Sequence, residues 1–567
     1  MDISLGKILL KKGLVTKHQL DTAIEEHRRT GKFLGEVLLK KGYIKEENLL
    51  RILSDQLAMP YVKLKEITID ETVVKKVPPK FALHYKIMPI RFDNNTLIIA
   101  VSNPMDMLPI DDIEINLGYR IERVLATRAD ILWAIKKYYG VGAETIEGIL
   151  DTTDIKEKRF DLRKTKAEDI EKLAGEPSVV KLVNQLLQQA ISDGATDLHL
   201  EPLREGVMLR SRIDGVLYET SVSEDIKYLY PSIVSRIKIM AGLDIVERRL
   251  PQDGRTKVKL GKEEYDLRVS ILPSLYGEDV VIRILPTKML FSLELLGLSP
   301  ESLKILKKML EKPNGIIFVT GPTGSGKTTT LYACLNKLNT SQRKIITIED
   351  PVEYELKMVD QIQINPKINL TFARALRSML RHDPDILMVG EVRDVETAKI
   401  TIQASLTGHL VFSTLHTNDT ASAATRLIDM GIEPYLISSS VEAFIAQRLV
   451  RVICENCKER VKMDEVTRRR LQASGLSREI WNRKYIFYGR GCEVCRNTGY
   501  KGRTGIYEIL LLSEPIKELI MKKASASKIK QKAISLGMKT LKDDGWEKVL
   551  AGITTIEEVM RVTQVEE

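Results

Sequence analysis

Apolar positions at the start of the chain repeat with a fixed offset. SLGKILLKKGLVTKHQLDTAIEEH (Ser4–His27) and FLGEVLLKKGYIKEENLLRILSDQ (Phe33–Gln56) superpose at 29 residues, matching Leu5 to Leu34, Gly6 to Gly35, Leu9 to Leu38, Gly13 to Gly42 and Leu20 to Leu49. Each copy predicts a helix, a glycine stop and a second helix. Thr16 stands where it would cap the second helix of the first copy. Residues 1–60 therefore read as a helical-repeat module. After it, TLIIAVSNP (Thr96–Pro104) and RIERVLAT are strand-like, and ADILWAIKKYYG is an amphipathic helix stopped by Gly140. Residues 61–140 thus predict a small α/β domain. Residues 141–176 are charged and poor in aromatics, which predicts a linker.

The pattern then changes twice. In residues 177–290, SVVKLVNQLLQQAISDGA carries apolar residues at helical spacing, whereas TDLHLEP, VMLRSRIDGVLYE and YDLRVSILPSLYGEDVVIRIL alternate with period two. A second α/β domain, PAS-like in outline, is expected there. Residues 291–567 alternate apolar strands with helices, the pattern of a mostly parallel sheet with helices on both faces, and helices dominate after Ser513.

Composition adds limits. Over 567 residues, 43% hydrophobic and 29% charged content is that of a globular protein. No run reaches the ~18 apolar residues of a membrane helix, and the first residues lack the pattern of a signal peptide. A cytoplasmic chain is expected, meeting the membrane only through partners. The net charge of +10 is scattered over the sequence. That is a solvated mixed-charge surface, and no nucleic-acid partner is expected.

Four segments and two cysteine pairs carry chemistry. GIIFVTGPTGSGKTTTLYACL sets Gly321, Pro322, Thr323, Gly324, Ser325, Gly326, Lys327, Thr328 and Thr329 between a strand and a helix, the context of a P-loop. Its N–H groups and helix N-terminus suit phosphate oxygens. Lys327 would reach the β and γ phosphates of ATP, and Thr328 would offer a hydroxyl to Mg²⁺. IITIEDPVEY ends a strand in Glu349 and Asp350, placing a carboxylate to deprotonate an attacking water. DPDILMVGEVRD puts Glu391 just past a buried strand, where Mg²⁺ or its water is held. The base and metal roles of Glu349 and Glu391 are interchangeable on sequence alone. GHLVFSTLHTND flanks a strand with His409 and His416, candidate γ-phosphate sensors. Among five cysteines, Cys454, Cys457, Cys492 and Cys495 form two C-x-x-C pairs 34 residues apart. Four thiolates at that spacing suit Zn²⁺.

These boxes, in this order, resemble the secretion ATPase superfamily that drives type II secretion and type IV pilus assembly. GATDLHLEP, RIDGVL, RRLPQDGR and LRVSILPSLYGEDVVIRIL resemble the family's second N-terminal domain, and LKDDGWEKVLAGITTIEEVMRVT its C-terminal tail. The resemblance implies a RecA-like ATPase core in a ring hexamer at the inner membrane. It further implies a membrane platform protein as partner and a zinc-bearing tetracysteine element over 454–495. It also implies arginine fingers from the preceding domain, which map to Arg210, Arg212, Arg255 and Arg268. IEDPVEYEL and QASLTGHLV lean toward the secretion branch over pilus extension, with DNA uptake less expected. The N-terminal repeat resembles the MshEN-type module, which binds cyclic di-GMP in some relatives. Here Ser4 and Phe33 replace the arginine that begins each motif, and His27 replaces the first of its closing glutamines. A docking module for the cytoplasmic part of a membrane partner is expected, without cyclic di-GMP.

Overall fold

The computed structural model describes residues 2–31, 33–105, 108–152, 172–287, 289–473 and 485–563. Two compact units divide the chain, Met1–Pro286 and Thr287–Glu567.

The first unit opens with the predicted helix pairs, Asp2–Lys11 with Lys17–Thr30 and Leu34–Lys40 with Glu46–Leu57. Gly13 and Gly42 turn the chain at φ 67° and 70°, a region costly for any residue with a Cβ. Thr16 caps its helix, as the sequence predicts, and Gln19 returns the bond (Gln19 N to Thr16 Oγ1 3.3 Å, Thr16 N to Gln19 Oε1 2.9 Å). A three-stranded sheet follows, with Thr96–Val101 central, antiparallel to Met88–Asp93 and parallel to Arg120–Leu125. The break expected at residue 60 is not a break in packing. One apolar core runs from Leu5 to Ala143, and Pro60 and Val62 bond through the backbone to Leu125, both at 2.8 Å.

The predicted linker needs correction at both ends. Ala143–Thr152 is a helix whose Ile146, Ile149 and Leu150 are buried, at the i, i+3, i+4 spacing of one helix face. Leu173 and Ala174 are buried as well. The charged residues between drew attention away from this stripe. Residues 153–171 of the linker lie outside those described.

These helices join the core of a six-stranded antiparallel sheet. Its order is Val216–Glu219, Val207–Ile213, Ala195–Pro202, Gly277–Pro286, Glu263–Ser274, Gln252–Leu260. Pro177–Ser192 and Ile226–Ala241 cover one face, where Leu198, Leu200, Leu209, Leu267, Val269 and Ile282 are buried.

The second unit is built on a seven-stranded sheet ordered Asp360–Gln363, Ile345–Glu349, Ile386–Val389, Leu410–Leu415, Gly315–Thr320, Val441–Ile453, Tyr500–Leu511. The first six strands are parallel and the last is antiparallel. Alternate residues feed two cores. Ile316 and Phe318 join one, while Ile317 and Val319 join the core beneath the P-loop helix Lys327–Leu338. Both faces are covered, which is why the P-loop strand reads as one apolar run. Four helices close the chain from Glu514–Met521 to Ile556–Thr563.

Candidate nucleotide site and tetracysteine centre

Parallel strands bring their C-terminal ends to one edge of the sheet, and the acidic and P-loop boxes end there. Glu349 is the last residue of its strand, Gly321 follows Thr320, Glu391 follows Val389-Gly390, and His416 follows Leu415. The edge is tied by Thr414 Oγ1 donating to Gly390 O (2.7 Å), Ser413 Oγ to Val389 O (2.7 Å) and Gly390 N to Ile348 O (2.8 Å).

The P-loop geometry demands its glycines. A Cβ on Gly321 would stand 2.6 Å from Gln447 O, and one on Gly326 2.7 Å from Gln447 Nε2. Lys327 Nζ donates to Gly321 O (2.8 Å) and Pro322 O (3.0 Å). Burial pushes Lys327 down to about 8, against the pull of Glu391, with Arg448 adding to the fall. Ser325 Oγ is buried without a hydrogen-bond partner among the described residues. A loop with spare donors, a desolvated lysine and a helix N-terminus fits a nucleotide's phosphates. Thr328 and Glu391 offer oxygen donors of the hard kind that Mg²⁺ takes.

Glu391 pairs with Arg393 (2.6 Å) and faces His416 Nε2 (3.2 Å). Glu349 is 3% exposed. Its carboxylate accepts from Thr347 Oγ1 (2.6 Å), Gln361 Nε2 (3.1 Å) and the Tyr332 hydroxyl. Burial raises it above the usual carboxylate range, and these donors oppose the rise. His409 is not brought to this edge. It precedes the strand that His416 follows, six residues or ~20 Å away at ~3.3 Å per residue, and its Nδ1 meets Ala404 O at 2.7 Å. Flanking a strand in sequence means standing at opposite ends of it.

The predicted arginines lie in the first unit on the face of the six-stranded sheet away from its core. Register sets Arg212 beside Asp197, Asp197 beside Arg283, Arg283 beside Arg268, and Arg268 beside Arg255. Directly paired residues share a face, so these form one row across the sheet. Asp197 takes Arg283 at 3.0 Å and Arg212 at 3.9 Å, while Arg255 pairs with Asp266 at 2.6 Å. Arg210 stands one step along the same strand and pairs with Glu201 at 2.5 Å. Arg283 was missed from sequence because it sits inside an apolar strand, VVIRIL. Its signal is parity: it alternates with the buried Ile282 and Ile284.

The four cysteines converge although 34 residues separate the pairs. Cys454 and Cys457 follow Val441–Ile453, Cys492 and Cys495 precede Tyr500–Leu511, and Ile453 faces Tyr500 across that antiparallel pair. Their sulfurs lie within 4.8 Å of one another, with Cys454–Cys492 at 3.8 Å and Cys457–Cys495 and Cys492–Cys495 at 3.7 Å. A tetrahedron with ~2.3 Å Zn–S bonds has edges of ~3.8 Å, so the four fit zinc. Gly491 N and Cys492 N donate to Cys457 and Cys495 sulfur at 3.3 and 3.2 Å, the outer bonds that hold thiolate ligands in place.

The family model described as Type II/IV secretion system protein matches residues 172–561. The chain belongs to that family. A second model, the MshEN domain, matches residues 57–145, the α/β module that follows the helical repeat. The chain is 42% identical to the type IV pilus assembly ATPase PilB of Myxococcus xanthus over 98% of both chains. It is 41% identical to type II secretion system protein E of Xanthomonas campestris, over 92% of this chain and 91% of that one. Among solved structures, the Yersinia pseudotuberculosis ATPase DotB aligns with TM-score 0.50 and 22% identity over 68% of this chain and 94% of that one, a likeness of fold. The family's members are secretion and pilus assembly ATPases, and this chain is an ATP hydrolase. Among the described residues, no helix is long and apolar enough to cross a membrane.

Proposed function

We propose that this ATPase is the motor that polymerises pilin-like subunits through an inner-membrane platform protein. It works as a ring of six copies at the cytoplasmic face. The observation that carries the catalytic part is the convergence of Lys327, Glu349, Glu391 and His416 on one sheet edge. Lys327 and the loop N–H groups bind the phosphates. Glu349 takes the proton of the attacking water as it adds in line to the γ-phosphorus, and ADP leaves. Thr328 and Glu391 would hold Mg²⁺, Glu391 through water, and the ion would neutralise charge on the phosphates. The arginine row serves the nucleotide of a neighbouring copy, as the family resemblance implies. Zn²⁺ on the four cysteines is structural, because four thiolates leave no open position for chemistry.

Coverage favours type IV pilus extension, since the Myxococcus pilus ATPase matches over 98% of both chains. Type II secretion is the second reading. It is favoured by 47% identity over 75% of this chain to the Pseudomonas aeruginosa type II secretion protein E. Gene disruption in the host separates them. Loss of surface pili with normal exoprotein release supports the first reading, and the reverse supports the second.

The N-terminal module docks the cytoplasmic domain of a membrane assembly partner. The Phe33 ring lies where a Cβ on Gly35 would stand, 2.7 Å from its Cε1, so an apolar ring replaces the charge of the motif's arginine. Losing two charged hydrogen bonds at ~1.5–3 kcal/mol each weakens a dinucleotide ~10²–10⁴-fold. Calorimetry on the full chain is expected to show no cyclic di-GMP binding at low micromolar concentration.

A further inference from the structure

The P-loop lysine opens a helix whose sixth residue, Tyr332, four positions past Thr328, also reaches the site. Tyr332 is fully buried, and its hydroxyl donates to Glu349 Oε2. The opposite oxygen, Oε1, already accepts from Thr347 Oγ1 and Gln361 Nε2. Gln361 is itself fixed: its Nε2 reaches Tyr354 O (3.0 Å) and, at 3.5 Å, the Tyr332 oxygen, and its Oε1 accepts from Leu356 N (2.7 Å). A phenol has one hydrogen. With backbone N–H groups of Glu353 and Tyr354 donating to the phenol oxygen, that hydrogen is aimed at Glu349. The ring is held edge-on by Phe291 at 5.2 Å and by Tyr354 at 6.3 Å.

We propose that Tyr332 is a positioning residue for the Glu349 base, orienting its carboxylate and keeping it ionised in a buried setting. The inference rests on Glu349 being the base. The groups facing Glu349 are Thr347 on its own strand, Tyr332 from the P-loop helix, Gln361 from the neighbouring strand, and the carboxylate of Glu353 from the following loop. Glu353 and burial both disfavour the charge. The donors Thr347, Tyr332 and Gln361 favour it, because a hydrogen bond to the charged form lowers a carboxyl pKa. The aromatic helix position thereby links the loop that grips phosphate to the group that activates water.

Tyr332→Phe keeps the ring and removes the hydroxyl, and with it the donor to Glu349. Turnover requires ionised Glu349, so losing the donor raises its pKa and moves the acidic limb of the kcat–pH profile upward by about one unit. KM for ATP stays within about twofold, because no phosphate contact is touched. Glu349→Gln is measured alongside. If Glu349→Gln still turns over ATP, the assignment of Glu349 as base is wrong. If Glu349→Gln is inactive while Tyr332→Phe keeps the parent pH profile, the role given to Tyr332 is wrong. A Tyr332→Phe variant that loses kcat equally at every pH, with a lowered melting temperature, also overturns it, since that is the signature of packing alone. Thr347→Val, which removes the second hydroxyl donor at another site, is expected to shift the same limb in the same direction. An unmoved limb there counts against ionisation being set by these donors.

Discussion

The nucleotide edge of the second unit and the arginine row of the first are assembled in opposite ways. At the nucleotide edge each box ends its own strand, and parallel strands deliver their ends to one place. Proximity in sequence to a strand end is therefore proximity to the site. In the arginine row, each residue comes from a different antiparallel strand, inside it and not at its end. Its neighbours are decided by register, which no contiguous motif displays. The first kind of site is legible as words, the second only as an alignment of strands.

The comparison is tested most severely at its best-defined residue. Lys327→Ala is expected to cut ATP turnover by at least ~10²–10³-fold, the scale of losing a charge-stabilising donor. Its Nζ donates to the loop carbonyls of Gly321 and Pro322, so the melting temperature is expected to stay close to the parent's. Residual turnover near wild type in purified protein removes the P-loop from the mechanism.

Arg283→Ala comes next, with an expected loss of ~10–10²-fold in turnover if the row meets a nucleotide's charge. Its side chain is 56% exposed and Asp197 keeps Thr196 Oγ1 at 2.8 Å, so little stability goes with it. Exposed ion pairs contribute only ~0–1 kcal/mol. A variant with normal turnover reduces the row to a surface network of ion pairs.

The tetracysteine element stands between the two kinds of site, because its pairs are motifs but their meeting depends on strand pairing. Purified protein is expected to carry about one Zn²⁺ per chain. Cys492→Ser is expected to lower metal content and melting temperature together, since the free energy of ligation is also folding free energy. Elemental analysis without zinc under reducing, chelator-free conditions refutes the site.

The smallest effect separates the two histidines. His416→Ala is expected to reduce turnover several-fold through Glu391, whereas His409→Ala leaves it within ~2-fold and costs about one hydrogen bond of stability, ~0.5–1.5 kcal/mol. Equal losses of turnover at both positions contradict their placement at opposite strand ends.

The fold was largely readable because its elements carry strong periods: the 29-residue repeat, the alternating strands and the apolar parallel run. What escaped had a weak or misleading local signal. Ile146, Ile149 and Leu150 form a three-residue stripe inside charged sequence, too short to outweigh it. Gln361 and Tyr332 bond Glu349 from a neighbouring strand and from a helix, so their role appears only once those elements are packed. His409 was drawn in by its place in a motif, although strand length alone sends it to the far end.

The central claim is that the two assemblies complete one catalytic centre between copies of the chain. Mixing Arg268→Ala subunits with Lys327→Ala subunits tests it directly, each being expected to lose turnover alone. In mixed rings some interfaces combine an intact P-loop from one subunit with an intact arginine row from its neighbour. The account predicts that ATP turnover reappears and rises with the mixed fraction. Hexamers demonstrably containing both subunits, yet showing no turnover, would contradict it.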